Sequence, residues 1–140
     1  MLFWNKDCAM ENMIQNATQI LILSFLAITF LQSGIDKMMD WKGNLSWLTG
    51  HFSKTAFKEY VPVLLGLVMV LEMLSGILGG VGVIQFLIDG RSSIGFLGAV
   101  LSAITLLILF LGQRIAKDYV GAQTLVVYLV PTVFLVYLMQ

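Results

Sequence analysis

One carboxylate, Glu72, interrupts the apolar run from Val61 to Leu87. At 1.5 Å per helical residue it lies roughly 15 Å from Pro62, near the middle of a hydrocarbon layer. A carboxyl group at that depth is neutralised, paired with a cation or used, and ionisable residues in membrane spans tend to face a bundle interior or a cavity. It is either a protonated carboxyl tied to a neighbouring helix or a proton-exchanging or ligand-binding group. Spans that alternate in direction gather the other unusual polar residues in the same half of a bundle. Gln32, Ser33, Asp36 and Lys37 end the first span, Gln113 and Arg114 end the third, and Asp118, Tyr119, Gln123 and Thr124 open the fourth. Lys37 reaches Glu72 if its helix continues to Trp41, with Ser33 and Gly34 one turn earlier leaving it space. A Lys37–Glu72 pair would offset part of the desolvation cost of each ion. The alternative is a lysine that snorkels alone to the headgroups.

Other chemistries find less support. The only histidine, His51, falls in a surface connection, where it is expected to contact water or headgroups, and it lacks the partners of a metal or haem site. The methionines read as filler of apolar helices. Cys8 is the only cysteine, so neither an internal disulfide nor a C-x-x-C pair can form. No phosphate-binding loop or nucleophile–base pair is apparent, and a net charge of zero without a basic stripe argues against nucleic acid. The expectation is a chain without catalytic activity of its own and without a metal. Acid–base catalysis by Asp118, Tyr119 or Glu72 stands as an alternative.

The elements that must position these residues are membrane spans. The chain is 59% hydrophobic and 11% charged, whereas soluble domains are about 25% charged. Four stretches reach spanning length: Ala17 to Ile35, Pro62 to Val83, Ile94 to Gly112 and Val120 to Met139. The first is longer than the apolar part of a signal peptide, follows Asp7 and Glu11, and has no small-residue cleavage site after it. The sequence therefore predicts an all-α fold, an integral membrane four-helix bundle forming a single domain over residues 1–140.

Between the spans the local signals are specific. Residues 1–16 read as a polar segment along the membrane surface, with Phe3 and Trp4 at the headgroups. The first break after the first span is expected at Gly43. In the following connection, Trp41, Leu45, Leu48 and Phe52 recur at helical spacing, which predicts a short interfacial helix between the first and second spans. Pro62 suits a first helical turn. Gly34, Ser75, Gly76 and Gly80 offer small surfaces for close helix packing, with Gly79 and Gly82 adding to them. Asp89-Gly90-Arg91-Ser92 signals a turn, Ser102 and Thr105 are expected to bond back to their own helix, and Pro131 should kink the last span. Lys37, Lys42, Lys54, Lys58, Arg114 and Lys117 lie at one end, against Lys6, Arg91 and the α-amine at the other. Positive-inside counting then places both termini in the periplasm.

Phe30-Leu31-Gln32-Ser33-Gly34-Ile35-Asp36-Lys37 resembles the first-helix signature of the DoxX family of small four-helix membrane proteins. Glu72-Met73-Leu74-Ser75-Gly76 is similar to its E-x-x-x-G segment, and Lys117-Asp118-Tyr119-Val120-Gly121-Ala122 to the stretch that opens the fourth helix in many bacterial members. The resemblance implies a DoxX-like protein of a bacterial inner membrane, connected with quinone-linked electron transfer or oxidative stress. On that reading the chain is an accessory or anchoring subunit, its partners are membrane lipids and redox-complex subunits, and a quinone-like ligand sits beside Glu72 and Lys37. A small-molecule or proton-coupled transport protein using Glu72 is the alternative.

Overall fold

The computed structural model describes residues 6–140, and every regular element among them is helical. In chain order these are α1 (Lys6–Gln15), α2 (Ala17–Met39), α3 (Trp41–His51), a 3₁₀ turn (Lys58–Tyr60), α4 (Val61–Asp89), α5 (Ser93–Ile115) and α6 (Tyr119–Met139). Phe3 and Trp4 lie outside the described residues. Four helices, α2, α4, α5 and α6, are long and apolar enough to cross a membrane. Their bundle is that of a multi-pass membrane protein.

Local chemistry fixes the helix ends. Pro62 occupies the first turn of α4, where a missing N–H costs nothing. Gly90 closes α4 at φ 72°, the left-handed conformation in which a side chain would be strained. Ser92 caps α5 by accepting from the Gly95 amide at 2.7 Å, and Asp118 caps α6 by accepting from Gly121 at 2.8 Å. The side-chain oxygen of Gln85 accepts from Ser92 Oγ at 2.7 Å and from the Ile94 amide at 3.2 Å, so α4 itself helps to hold the start of α5. These bonds explain why α4 continues to Asp89, beyond the Val83 expected from hydropathy. α6 runs unbroken through Pro131, and the adjacent Thr132 hydroxyl bonds the Tyr128 carbonyl at 2.7 Å.

The chain turns at Asp40, ahead of the expected Gly43. Asp40 interrupts the helix and its carboxylate accepts from the Gly43 amide at 3.2 Å, so Gly43 sits inside the first turn of α3. The interfacial helix spans Trp41–His51, and the remainder of the connection is turns and the 3₁₀ segment. At the opposite end, residues expected to be only a polar segment form α1, which docks on the end of α4. Asn12 Nδ2 donates to the Leu87 and Ile88 carbonyls at 3.1 and 3.3 Å, and Asn16 Nδ2 to Gly90 at 3.0 Å. They satisfy carbonyls that the end of a helix leaves without partners.

In the bundle α2 packs on α4, α4 on α5 and α5 on α6, while α2 and α6 meet over a shorter stretch. Close approach depends on glycines of α4. A Cβ at Gly76 would lie 2.6 Å from Leu31 Cγ, and one at Gly98 of α5 would lie 3.0 Å from the Gly79 amide nitrogen. Gly34 admits Met73 in the same way, and Ser75 is fully buried against Thr105, hydroxyl oxygens 3.4 Å apart. Gly80 is the exception to the expected packing surface: no atom lies within 4 Å of the position its Cβ would take. A helix turns 100° per residue, so Gly79 rather than Gly80 faces the seam. The buried cluster of Leu23, Leu26, Phe30, Phe86, Ala99, Leu106 and Leu135 fills the half of the bundle nearer the termini.

Gly76→Ala and Gly98→Ala should each cost about 1–3 kcal/mol through overpacking, whereas Gly80→Ala should be neutral or stabilise by about 0.5–1 kcal/mol. Equilibrium unfolding in mixed micelles measures the three. Equal losses at positions 76 and 80 would contradict this seam.

Candidate functional site

Ser33 and Lys37 are four residues apart and so share one face of α2, which Gly34 brings close to α4 beside Glu72. The Lys37 ammonium donates to Ser33 Oγ at 2.8 Å and to Glu72 Oε1 at 3.3 Å, and Ser33 Oγ donates to the same carboxylate oxygen at 3.0 Å. Lys37 Nζ also lies 3.0 Å from Glu72 Oε2. That contact is an ion pair by distance but lacks the direction of a hydrogen bond, so Oε2 is a buried oxygen without a hydrogen-bond donor among the described residues. Glu72 is 2% exposed. Charges this deep need one another, because desolvating either alone costs several kcal/mol. Lys37 is therefore a partner of Glu72 and not a lysine snorkelling alone.

Two cavities meet at this carboxylate. The larger, about 470 Å³, lies between α3, α4 and α5. Leu64, Leu65, Val68, Ile108 and Leu109 wall it, and Trp47, Leu48, Phe52 and Phe57 cover it from α3 and the turns that follow. Ser33, Lys37, Glu72, Asn44 and Gln113 supply its polar groups. The smaller, about 410 Å³, is a cleft between α2 and α6 lined by Thr29, Gln32, Ser33, Asp36, Glu72 and Tyr128 together with Phe30 and three leucines. Asp36 stands exposed at its outer end and accepts from Asn44 Nδ2 at 3.4 Å.

The structure divides the residues that topology had grouped together. Gln32, Ser33, Asp36, Lys37 and Glu72 line one or both cavities, whereas Arg114, Asp118 and Tyr119 line neither. The Arg114 guanidinium lies over the Tyr119 ring, 4.7 Å from its centroid, on the exposed surface where α5 passes to α6. Asp118 belongs to a second polar group with His51, whose Nε2 is 2.7 Å from Gln113 Oε1 and 3.7 Å from Asp118 Oδ2. The His51 ring stacks on Trp47 at 4.5 Å and meets the edge of Phe52 at 5.3 Å. His51 thus ties the end of α3 to the α5–α6 connection instead of facing water or headgroups. The available sequence signal was its place four residues after Trp47 and next to Phe52. Gln123 and Thr124 are exposed, and Thr124 bonds back to Val120 at 3.1 Å. Thr105 bonds back to Leu101 at 2.7 Å as expected, but Ser102 Oγ is buried without a partner among the described residues. No group of three or more His, Cys, Asp or Glu side chains among the described residues is arranged to hold a metal ion.

Comparison with known families, curated proteins and solved structures returned no match to this chain.

Removing Glu72 should orphan the Lys37 charge. Glu72→Ala is expected to cost about 3–5 kcal/mol, and adding Lys37→Met should recover much of that loss. Thermal unfolding in lipid nanodiscs reads the double-mutant cycle. Additive effects of the two changes would mean that the contact carries no stability.

Proposed function

We propose that the chain is a DoxX-like accessory subunit of a bacterial inner membrane, which holds a quinone-like ligand beside Glu72 and serves a quinone-linked redox complex. The observation that carries this reading is the cavity of about 470 Å³ under α3, a size usual for small-molecule sites, which run about 300–1,000 Å³ and combine apolar walls with a few polar groups. Its residues fit such a group: the Gln113 amide, whose oxygen is held by His51, keeps its N–H groups for a ring oxygen, the Lys37 ammonium lies at the wall beside Glu72, and Trp47, Phe52 and Phe57 offer aromatic surface. Glu72, with one buried oxygen lacking a donor, adds a carboxyl that can hold a proton. A bound quinone supplies reversible two-electron, two-proton chemistry. The chain's own part is to orient the ring, keep bulk water from it and hold a proton at Glu72, with electrons passing through partner subunits.

Orientation belongs to the same proposal. With Lys37 paired inside the bundle, Lys42, Lys54, Lys58, Arg114 and Lys117 still outnumber Lys6 and Arg91. The α3 end then faces the cytoplasm and both termini the periplasm. In a Cys8→Ser background, an impermeant maleimide applied to intact cells should label Arg91→Cys and spare Ser53→Cys. The reverse pattern would invert the protein.

A proton-coupled transport protein is the second reading, favoured by the single observation that Glu72 borders both cavities. Mild-detergent purification at native expression, with quinone displacement measured on the same preparation, tests the first reading. Redox subunits should co-purify, and Lys37→Met and Glu72→Gln should weaken quinone binding about tenfold, the loss of one good polar contact. Absence of both quinone binding and redox partners, together with substrate-driven proton flux in proteoliposomes, would favour the transporter.

A further inference from the structure

We infer that the cleft between α2 and α6 is a hydrated path through which Glu72 exchanges protons with bulk water, separate from the α3-covered cavity. Ser33, Glu72, Leu109 and Leu125 line both spaces, so they form the partition between them. Aromatic and aliphatic side chains cover the first space. The second is edged by Thr29, Gln32 and Tyr128, with exposed Asp36 at its outer end. Helix geometry places Thr29 roughly 10 Å deeper than Asp36 along α2. The pair sits at the level of Ser33 and Lys37, so Asp36 and Gln32 lead from the surface to it and Thr29 lies about one turn beyond Ser33, and a polar space of this size can hold water bridging these groups. Thr29 already bonds back to the Phe25 carbonyl at 2.8 Å, so Gln32 and the Tyr128 hydroxyl are the groups that call for water or a polar partner in a bilayer-facing groove.

The inner end of the path supplies an independent observation. Glu72 Oε2 is almost fully buried, and its close partner is the Lys37 ammonium at 3.0 Å, outside hydrogen-bond direction, so a lone pair remains for water or a proton. Hydronium in the cleft would give its proton to Oε2, leaving a water molecule and a neutral carboxylic acid, and the reverse transfer restores the carboxylate. The titratable groups around this exchange are Lys37 and Asp36 from α2 and Tyr128 from α6. None of the cavity-lining residues of α5 on this side is titratable. This role rests on reading the larger cavity as a ligand site: an apolar ligand there closes the other approach to Glu72, so its proton must travel by the cleft.

Single cysteines in a Cys8→Ser background test the path, because a thiol reacts with charged methanethiosulfonates only as a hydrated thiolate. In proteoliposomes, Thr29→Cys should react with sulfonatoethyl methanethiosulfonate at least about tenfold faster than Ile28→Cys, which lies at nearly the same depth but faces lipid, and Gln32→Cys, one turn nearer the surface, should react at least as fast as Thr29→Cys. Ile28 is 68% exposed on the outer face of the bundle. The chain has three glutamates, Glu11, Glu59 and Glu72, so carboxyl NMR of isotope-labelled glutamate follows Glu72 directly. Its signal should respond to bulk pH in the unsubstituted chain and with quinone added, and should lose or slow that response in Gln32→Trp, which fills the cleft between Asp36 and the pair. Equal reactivity at positions 28 and 29, or an unchanged Glu72 response in folded Gln32→Trp, would overturn the path. Reactive cleft cysteines and a pH-responsive Glu72 without quinone binding would uphold the path and overturn the ligand reading instead.

Discussion

A carboxylate buried in a membrane span requires a cation, and that requirement shapes half of this bundle. Lys37 comes from the last turns of α2, so α2 must stay helical beyond Ile35, through Asp36 and Lys37 to Met39. It must also lie close enough to α4 for a side chain to reach across. Gly34 and Gly76 allow the approach, because a Cβ at either would collide with the opposing helix. Ser33 then serves as the bridge, accepting from the ammonium and donating to the carboxylate. The pair is weak evidence for stability, since two buried charges can do no better than matching apolar side chains.

Packing is divided along the membrane normal. The terminal half of the bundle holds the buried apolar cluster and is tied by α1 to the end of α4. The other half is open, with the two cavities on either side of Glu72 and α3 lying across one of them. His51 fixes the end of α3 through Gln113 and Asp118. A packed half thus adjoins a hollow half.

Hydropathy made the spans legible to within a few residues at their starts, because bilayer thickness sets span length and Pro62, Ser92 and Asp118 mark the first turns. The ends were less legible. α4 continues to Asp89, where its own Gln85 holds the start of α5 and Asn12 and Asn16 bond its last carbonyls, contacts that no local pattern announces. Asp40 ended α2 three residues before the glycine expected to do so, as an N-cap aspartate competes for the helical amides that follow. Topology and reach brought Lys37 within range of Glu72 but left a lysine snorkelling alone as the alternative, which the close approach of α2 and α4 decides. Arg114 and Tyr119 could not be excluded that way, since sharing one end of a bundle does not reveal which way a side chain points. Gly80 likewise needed the helical phase, and His51 the fold of a connection, before their surroundings were known.

The contact between Lys37 Nζ and Glu72 in a bilayer is the point on which this account stands or falls. Solid-state NMR dipolar recoupling between nitrogen-labelled lysine side chains and carbon-labelled glutamate carboxyls measures it directly in reconstituted lipid. Of the three glutamates, the Glu72 carboxyl should show strong coupling, consistent with nitrogen–oxygen distances of 3.0 and 3.3 Å, and Lys37→Met should abolish it. No coupling at Glu72, or coupling that survives Lys37→Met, would contradict the site described.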